Sequence, residues 1–294
     1  MRQHNWPRCN HGCAVILEDP PGDVAELFAL ERGRLLGLLG TFDESDWRKP
    51  SPCPGWTVLG LCCHILGDDL SALARFRDQH HGTAPPEDLS EAAFIEWIDL
   101  LQIEWVQAAR RLSPRLVIDL LAWTEPQLIE LLTTQNPRAP TGHVSWAGQG
   151  PVPVWLEQVR ELSEYWIHRQ QLLQALGQVS DLRADLAEPV LNGLRWAYPY
   201  RLNQIQASDG DTVSIEISGP VQATWHVVSE ARSWSFHRGP GSRCVANLSL
   251  NADQAWRLLT NNLSPIDQAA IQVTGDPQIV DVLRRTRAII GLPN

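Results

Sequence analysis

Apolar positions recur at helical spacing from the third decade of the chain onward. Residues 23–41 (DVAELFALERGRLLGLLGT) carry the first such pattern and predict a helix. The pattern stops at RKPSPCPGW, where three prolines and a glycine within a few residues cannot continue a helix. A second helix is expected from Thr57, an acceptable N-cap, through VLGLCCHILGDDLSALARFRDQ; its wide apolar stripe predicts burial. A third follows from about Ser90, a possible cap, with Glu91 favouring the N-terminal dipole. The segment PRLVIDLLAWTEPQLIELLTT is mixed, and Pro126 predicts a broken or shortened helix there. Residues 136–153 are rich in Pro and Gly and read as a long loop of the kind that is often functional. From Val154 a clear helix runs to Gly177, a plausible C-cap. Four long helices predict a bundle.

Past Asp181 the periodicity changes. A helical stretch (LAEPVLNGLRWAYPYRLNQI) is followed by TVSIEISG, VQATWHVV, RSWSFHRG and CVANLSLN, which alternate or cluster β-formers between turn signals. Helical segments at 252–261 and 277–289 flank AAIQVTGDP. The expected organisation is an extension (1–21), a helical bundle (22–180) and a smaller α+β domain (181–294), with the boundary near 178–186. No repeat or low-complexity tract is visible. GDP at 275–277 is a turn and helix start, because the glycine spacing of a phosphate loop is missing.

Composition narrows the partners. A formal charge of -10 and a pI near 5.3 leave no basic face for a nucleic-acid backbone. No apolar run is long enough to cross a bilayer, and the start, MRQHNWPRCNHGC, lacks the apolar core of a secretory signal. A cytoplasmic protein, monomeric or homodimeric, is expected. The six cysteines lack the spacing of a disulfide framework. Cys62 and Cys63 lie in an apolar helix and read as buried and inert, and CNHGC, with His4 and His11 nearby, has no second cysteine pair to complete a structural zinc set. Many of the 13 tryptophans, Trp56, Trp97, Trp105, Trp155 and Trp166 among them, fall in the bundle, where they stabilise a core or line a pocket.

The chemistry concentrates in ELSEYWIHRQQ. Glu164 and His168, four apart, share a helix face. Alone, the pair reads as a solvated contact or a hydrogen-bonded core histidine. His64, in the apolar setting of GLCCHILGDD, changes the weighing, because an imidazole buried there needs either a metal or a hydrogen-bonded carboxylate. Asp68, one turn on, either orients that ring or is surface charge. His80 and His81 read as the end of a helix, where a cationic imidazole suits the dipole. Bundles hold metals between facing helices with inward Glu and His, and two His with one Glu leave a tetrahedral position open, as catalytic zinc sites do.

PSPCPGWTVLGLCCHILGDDLSAL, followed after the long loop by ELSEYWIHRQQLLQALG, resembles the mycothiol-dependent maleylpyruvate isomerase family within the DinB-like four-helix-bundle superfamily. The C-terminal region resembles the small α+β, sterol-carrier-protein-like domain that accompanies that bundle. The resemblance implies that His64, Glu164 and His168 bind a divalent metal, zinc first, and that the open position takes the sulfur of a low-molecular-weight thiol. Mycothiol is the implied thiol, with glutathione, bacillithiol or ergothioneine as alternatives; a cation beside the thiol favours the thiolate nucleophile. The implied reaction is cis–trans isomerisation of a maleylpyruvate-like, electrophilic or unsaturated substrate, or transfer of the sulfur to an electrophile. The same donors also suit a zinc-water hydrolase or lyase, or a non-catalytic small-ligand-binding protein with a structural metal.

Two positions depart from the family pattern. Gln171 stands where relatives often have an acidic residue, and Asn261 and Asn262 stand where they often have a Gly-Arg pair. The missing arginine weakens the maleylpyruvate assignment more than the metal and thiol assignment. Arg169, Arg201, Arg238 and Arg243 are the candidate replacements as a substrate-carboxylate clamp, each otherwise a solvated arginine.

Overall fold

A computed structural model of the chain describes residues 20–82, 91–142, 144–148 and 150–288. Most of the expected 1–21 extension, with His4, His11 and CNHGC, lies outside the described residues, as does Ser90 as a cap.

Five long helices come first: α1 (Val24–Leu39), α2 (Val58–Ala72), α3 (Glu91–Ala109), α4 (Pro114–Thr134) and α5 (Val154–Ala175). The starts of α1, α2 and α4 follow from side-chain caps. Asp23 accepts from the Ala25 and Glu26 amides, Thr57 from Gly60, and Ser113 from Leu116. The last turn of α2 widens into a π turn at Leu73–Arg77, so His80 and His81 lie beyond the helix end rather than in its last turn. Gly177, at φ +70, ends α5 as expected: the Gln178 amide bonds back to the Leu173 carbonyl.

The bundle differs from expectation in which helices build it. α1 and α2 each pack on α4 and α5, whereas α3 lies mainly against α2. The segment predicted to be broken at Pro126 is thus a continuous 21-residue wall of the bundle. Proline removes one amide and crowds the carbonyl four residues back. Neighbouring side chains stitch that turn: the Thr124 hydroxyl donates to the Leu121 carbonyl at 3.0 Å and the Gln127 amide to the Trp123 carbonyl at 2.9 Å. Burial of Val117, Leu121 and Leu128 holds the helix on either side.

The second unit has α6 (Ala184–Leu194) and α7 (Ala197–Leu202), then β1 (Asp211–Ser218), β2 (Ala223–Glu230), β3 (Ser233–His237) and β4 (Arg243–Asn251). α8 (Ala252–Leu259), α9 (Pro265–Ala269), β5 (Gln272–Gly275) and α10 (Pro277–Arg285) complete it. Strand order is β3-β2-β1-β4-β5, antiparallel except for the central β1–β4 pair. Period-two alternation puts Val213, Ile215, Ile217, Trp225, Val227 and Leu248 into one core with Ala255 and Trp256 of α8. The fold class is therefore a helical region followed by a small mixed-sheet α+β unit.

α5 belongs to both units. Tyr165 and Leu172 join the bundle core, while Trp155, Val159, Leu162 and Trp166 join the core that includes the sheet. Several of its polar residues are buried too. The 136–153 loop is likewise structural: Pro140 pairs with Pro153, and Val144, Trp146 and Val152 insert into the second core. Among the described residues no helix is long and apolar enough to cross a membrane.

A buried polar network ties the bundle together. Arg32 donates to Asp69 Oδ1 at 2.6 Å, Tyr165 donates its hydroxyl to the same oxygen at 2.7 Å, and Thr124 bonds Asp69 Oδ2. The Arg32 guanidinium also stacks 4.7 Å from the Tyr165 ring centre. Asp69→Asn strands a buried cation and should destabilise the fold by about 3–5 kcal/mol. Tyr165→Phe, which deletes one hydrogen bond, should cost about 1 kcal/mol. Urea unfolding of the two variants beside wild type checks both the values and their order.

Candidate metal centre

His64 enters the bundle from the middle of α2, and His168 and Glu164 come from α5, which packs against it. The His64 Nε2 and His168 Nε2 atoms face one another at 3.0 Å, with the rings edge to face. Glu164 Oε2 lies 3.7 Å from His168 Nε2. The structure thus sets His64 against His168 and Glu164 beside His168, and it adds a fourth group, Asp68, whose Oδ2 is 3.3 Å from His64 Nε2.

What faces what is decided on the far side of each ring. His64 Nδ1 lies 3.0 Å from Gln102 Oε1, and His168 Nδ1 lies 2.8 Å from Gln171 Oε1. The glutamine orientations follow from their own bonds: Gln102 Nε2 donates to Asp68 Oδ1 at 3.0 Å, and Gln171 Nε2 donates to Asn262 Oδ1 at 2.9 Å. A carbonyl-type oxygen only accepts, so each Nδ1 carries the hydrogen and each Nε2 presents a lone pair. Two lone pairs then meet, with two carboxylates beside them. A divalent cation resolves such a set of donors, and a shared proton is the poorer substitute.

Burial opposes that proton. It pushes the His64 imidazole down to about 4 and His168 down to about 3, the latter aided by the charge of its neighbour. Burial pushes Asp68 and Glu164 up to about 8, reinforced by the charges of Glu161 and Asp69 at Asp68 and of Asp68 and Glu161 at Glu164. Both carboxyl groups retain some solvent contact, with side chains 22% and 25% exposed. Among the described residues no three His, Cys, Asp or Glu side chains stand at ligand spacing around a common centre. The imidazoles are closed on each other, since a tetrahedral zinc with bonds of about 2.05 Å separates its donors by about 3.3 Å. In donor chemistry the residues present fit a divalent ion.

Local sequence explains the placement. Gly67, one turn after His64, has Trp105 of α3 where a side chain would be: a β-carbon there would lie 2.5 Å from the indole. The Trp105 Nε1 donates to the Cys63 carbonyl at 2.7 Å. This close approach sets Gln102, nearly one turn before Trp105, against His64. The turn at PSPCPGW folds on itself through Ser51–Trp56 bonds and puts the Trp56 ring 4.9 Å from the His64 ring. Cys53 of that turn donates its thiol to Gln171 Oε1 at 3.2 Å, and burial together with the Glu164 charge pushes the thiol up to about 12. Cys53 is therefore a neutral donor at the site and not a thiolate.

Gln102 has no signal in the sequence, and Asp68, expected either to orient the His64 ring or to be surface charge, does touch the ring's surroundings. Asp68 reaches the Nε2 edge of His64 and orients the ring only through Gln102. The arginine candidates fare differently. Arg169 is buried in a two-pronged pair with Glu31, at 2.6 and 2.8 Å, and a 2.9 Å bond to Asp181, so its guanidinium is committed to joining α5 to α1. Arg243 forks onto Asp211 at the start of the sheet, at 2.7 and 2.8 Å. Arg201 stacks on Tyr200, and Arg238 lines a cleft on the β2–β3 hairpin with Arg195, His226 and His237. The cation whose field reaches Glu164 and Asp68 is Arg160, one turn before Glu164 and bonded to Glu161. Cys62 and Cys63 are fully buried with thiols pushed upward by burial, as expected of packing residues.

Comparison with known proteins gives three similarities. Residues 28–173 match the family described as the mycothiol maleylpyruvate isomerase N-terminal domain. Two proteins of Mycobacterium tuberculosis, one from each of two strains and both named as uncharacterized, are 26% identical over 258 residues, covering 83% of this chain and 95% of theirs. The crystal structure of a mycothiol-dependent maleylpyruvate isomerase superposes with a TM-score of 0.52 at 16% identity, covering 86% of this chain and 92% of that one; a histidine-to-alanine mutant of it gives the same values. That likeness is one of fold.

The protonation pattern sets a pH dependence for the metal-free protein. Between 6.5 and 8 the unfolded chain has lost its histidine and carboxyl protons, whereas the folded state keeps protons on Asp68 and Glu164. The folded state binds more protons there, so stability falls as pH rises from 6.5 through 8. Below 6.5 the unfolded chain gains protons on the two histidines that the folded state refuses, which offsets the carboxyl contribution. Urea unfolding of chelator-treated protein at pH 6.5 and 8 should show lower stability at 8, and Asp68→Asn should shrink the difference.

Proposed function

We propose, on the premise that the helical bundle of this chain belongs to the family of mycothiol maleylpyruvate isomerase N-terminal domains, that the protein is a metal-dependent enzyme using a low-molecular-weight thiol. The observation that supports this best is the facing pair of Nε2 lone pairs on His64 and His168 with the Glu164 and Asp68 carboxylates beside them. His64, His168 and Glu164 would hold a divalent metal, zinc first. When bound, the metal supplies the positive charge that favours a thiolate over a thiol, and mycothiol or a related thiol supplies the sulfur.

The chain's own residues supply the rest. Gln102 and Gln171 hold the rings with Nε2 forward, so no tautomer exchange precedes binding. Asp68 Oδ2, 3.3 Å from His64 Nε2, would be placed to accept the proton that a thiol sheds. Trp56 walls the His64 side with an apolar face that excludes water from a developing thiolate. Cys53, neutral at that pH, leaves the nucleophilic role to the added thiol.

The reaction we favour is cis–trans isomerisation of an electrophilic, unsaturated substrate: sulfur adds to the activated double bond, the single bond rotates, and elimination returns the thiol. The family premise favours this reaction over S-transfer. Arg169 and Arg243 are engaged in ion pairs, and Arg201 and Arg238 belong to the sheet-bearing unit. Arg160, whose charge reaches Glu164 and Asp68, would meet a substrate carboxylate only by exchanging its partner Glu161.

Turnover of a cis-unsaturated keto acid should require both zinc and a thiol from a panel of mycothiol, glutathione, bacillithiol and ergothioneine. Glu164→Gln should lower both metal occupancy and turnover by at least about 100-fold, since loss of a supporting residue alone costs about 10–100-fold. Turnover without thiol would favour the zinc-water hydrolase. Full metal retention in His64→Ala and His168→Ala would remove the basis of the proposal.

A further inference from the structure

We infer that the C-terminal unit sets the donor state of His168 through an amide relay, Thr260–Asn262–Gln171–His168, which makes Asn262 a positioning residue for a site on the bundle. The inference deepens the reading of His168 as a metal donor and rests on it.

Each link is directional. The Asn262 side-chain amide donates to the Thr260 carbonyl at 2.8 Å and to the Thr260 hydroxyl at 2.9 Å. Those bonds leave Asn262 Oδ1 as the end that meets Gln171 Nε2, at 2.9 Å. Gln171 Oε1 then faces His168 Nδ1 and accepts its hydrogen, and Cys53 donates to the same oxygen, so two donors agree on which end of the Gln171 amide points inward. The outcome is a lone pair on His168 Nε2. Reversing any amide in the series would move the ring hydrogen to Nε2, where it would block a cation and bond His64 instead.

The chain geometry delivers Asn262 for this purpose. α8 ends at Leu259, and Asn261 adopts φ +56, a left-handed conformation that asparagine tolerates better than most residues. The chain turns there, and the Asn262 amide hydrogen returns to the Arg257 carbonyl at 2.8 Å. Asn261 and Asn262 thus have separate tasks: Asn261 makes the turn, and Asn262 reaches across to α5. His64 is held by a different route, Gln102 and Asp68, which lies wholly within the bundle helices. That independence provides an internal control.

The test uses full-length protein with imidazole nitrogens labelled by 15N, and zinc affinity measured by chelator competition. In metal-free wild type both His64 and His168 should show Nδ1–H and a bare Nε2. In Asn262→Leu, His168 should shift toward Nε2–H while His64 stays unchanged, and zinc affinity should fall about 10–100-fold. Gln171→Leu should match it, and the double variant should lose no more than either single one, because both cut one relay. Should Asn262→Leu fail to fold, Asn262→Ala carries the same comparison. An unchanged His168 tautomer and affinity in a folded variant would overturn the inference, as would equal changes at both histidines or additive losses in the double variant. If wild type binds no zinc, the metal reading fails, and the nitrogen spectra still decide the relay.

Discussion

Two imidazole nitrogens that can only accept, held 3.0 Å apart inside a helical bundle, form the constraint on which the rest of the structure turns. Left alone, such an arrangement repels. Here the surroundings fix both rings, through the Gln102 and Gln171 amides and the walls of α2, α3 and α5. Burial makes protonation of either ring unfavourable, and the same burial raises the neighbouring carboxyl groups. The site is therefore poised toward a cation from both directions: neutral nitrogens ready to donate, and acidic oxygens ready to give up protons as positive charge arrives.

The division of the chain into two units is softer than its periodicity implies. α5 is a structural wall of both cores, and several of its polar side chains, Gln158, His168, Arg169, Gln170 and Gln171 among them, are buried. Arg169 uses that burial to join α5 to α1 and Asp181, while Gln171 uses it to reach Asn262. One helix thus carries two of the candidate ligands, an ion pair between helices and the amide link to the sheet-bearing unit. A site on such an element is held more rigidly than one built on loops.

Much of this was legible in the sequence because periodicity and burial reinforce each other. The alternation in residues 211–251 and the long stripe around His64 have physical counterparts in the sheet core and in α2. The Glu164–His168 spacing is visible in ELSEYWIHRQQ, a histidine surrounded by leucine, isoleucine and cysteine has to be satisfied by something, and the family resemblance is what implies that the three act together. Other features failed for identifiable reasons. Pro126 was weighed as a breaker, but packing of α4 on two neighbours outweighs one lost hydrogen bond. Gln102 carries no sequence signal, since its role arises only from the Gly67–Trp105 contact that brings α3 against α2. Arg169 is a candidate clamp because the implied Gly-Arg pair is missing; its partner Glu31 lies 138 positions away and only the fold brings them together.

X-ray absorption of the zinc-loaded protein, with and without added thiol, tests the central claim most directly. The account predicts a shell of two imidazole nitrogens with carboxylate oxygen, and the appearance of a sulfur scatterer at about 2.3 Å when thiol is added. A shell without imidazole, or one that thiol leaves unchanged, would contradict it.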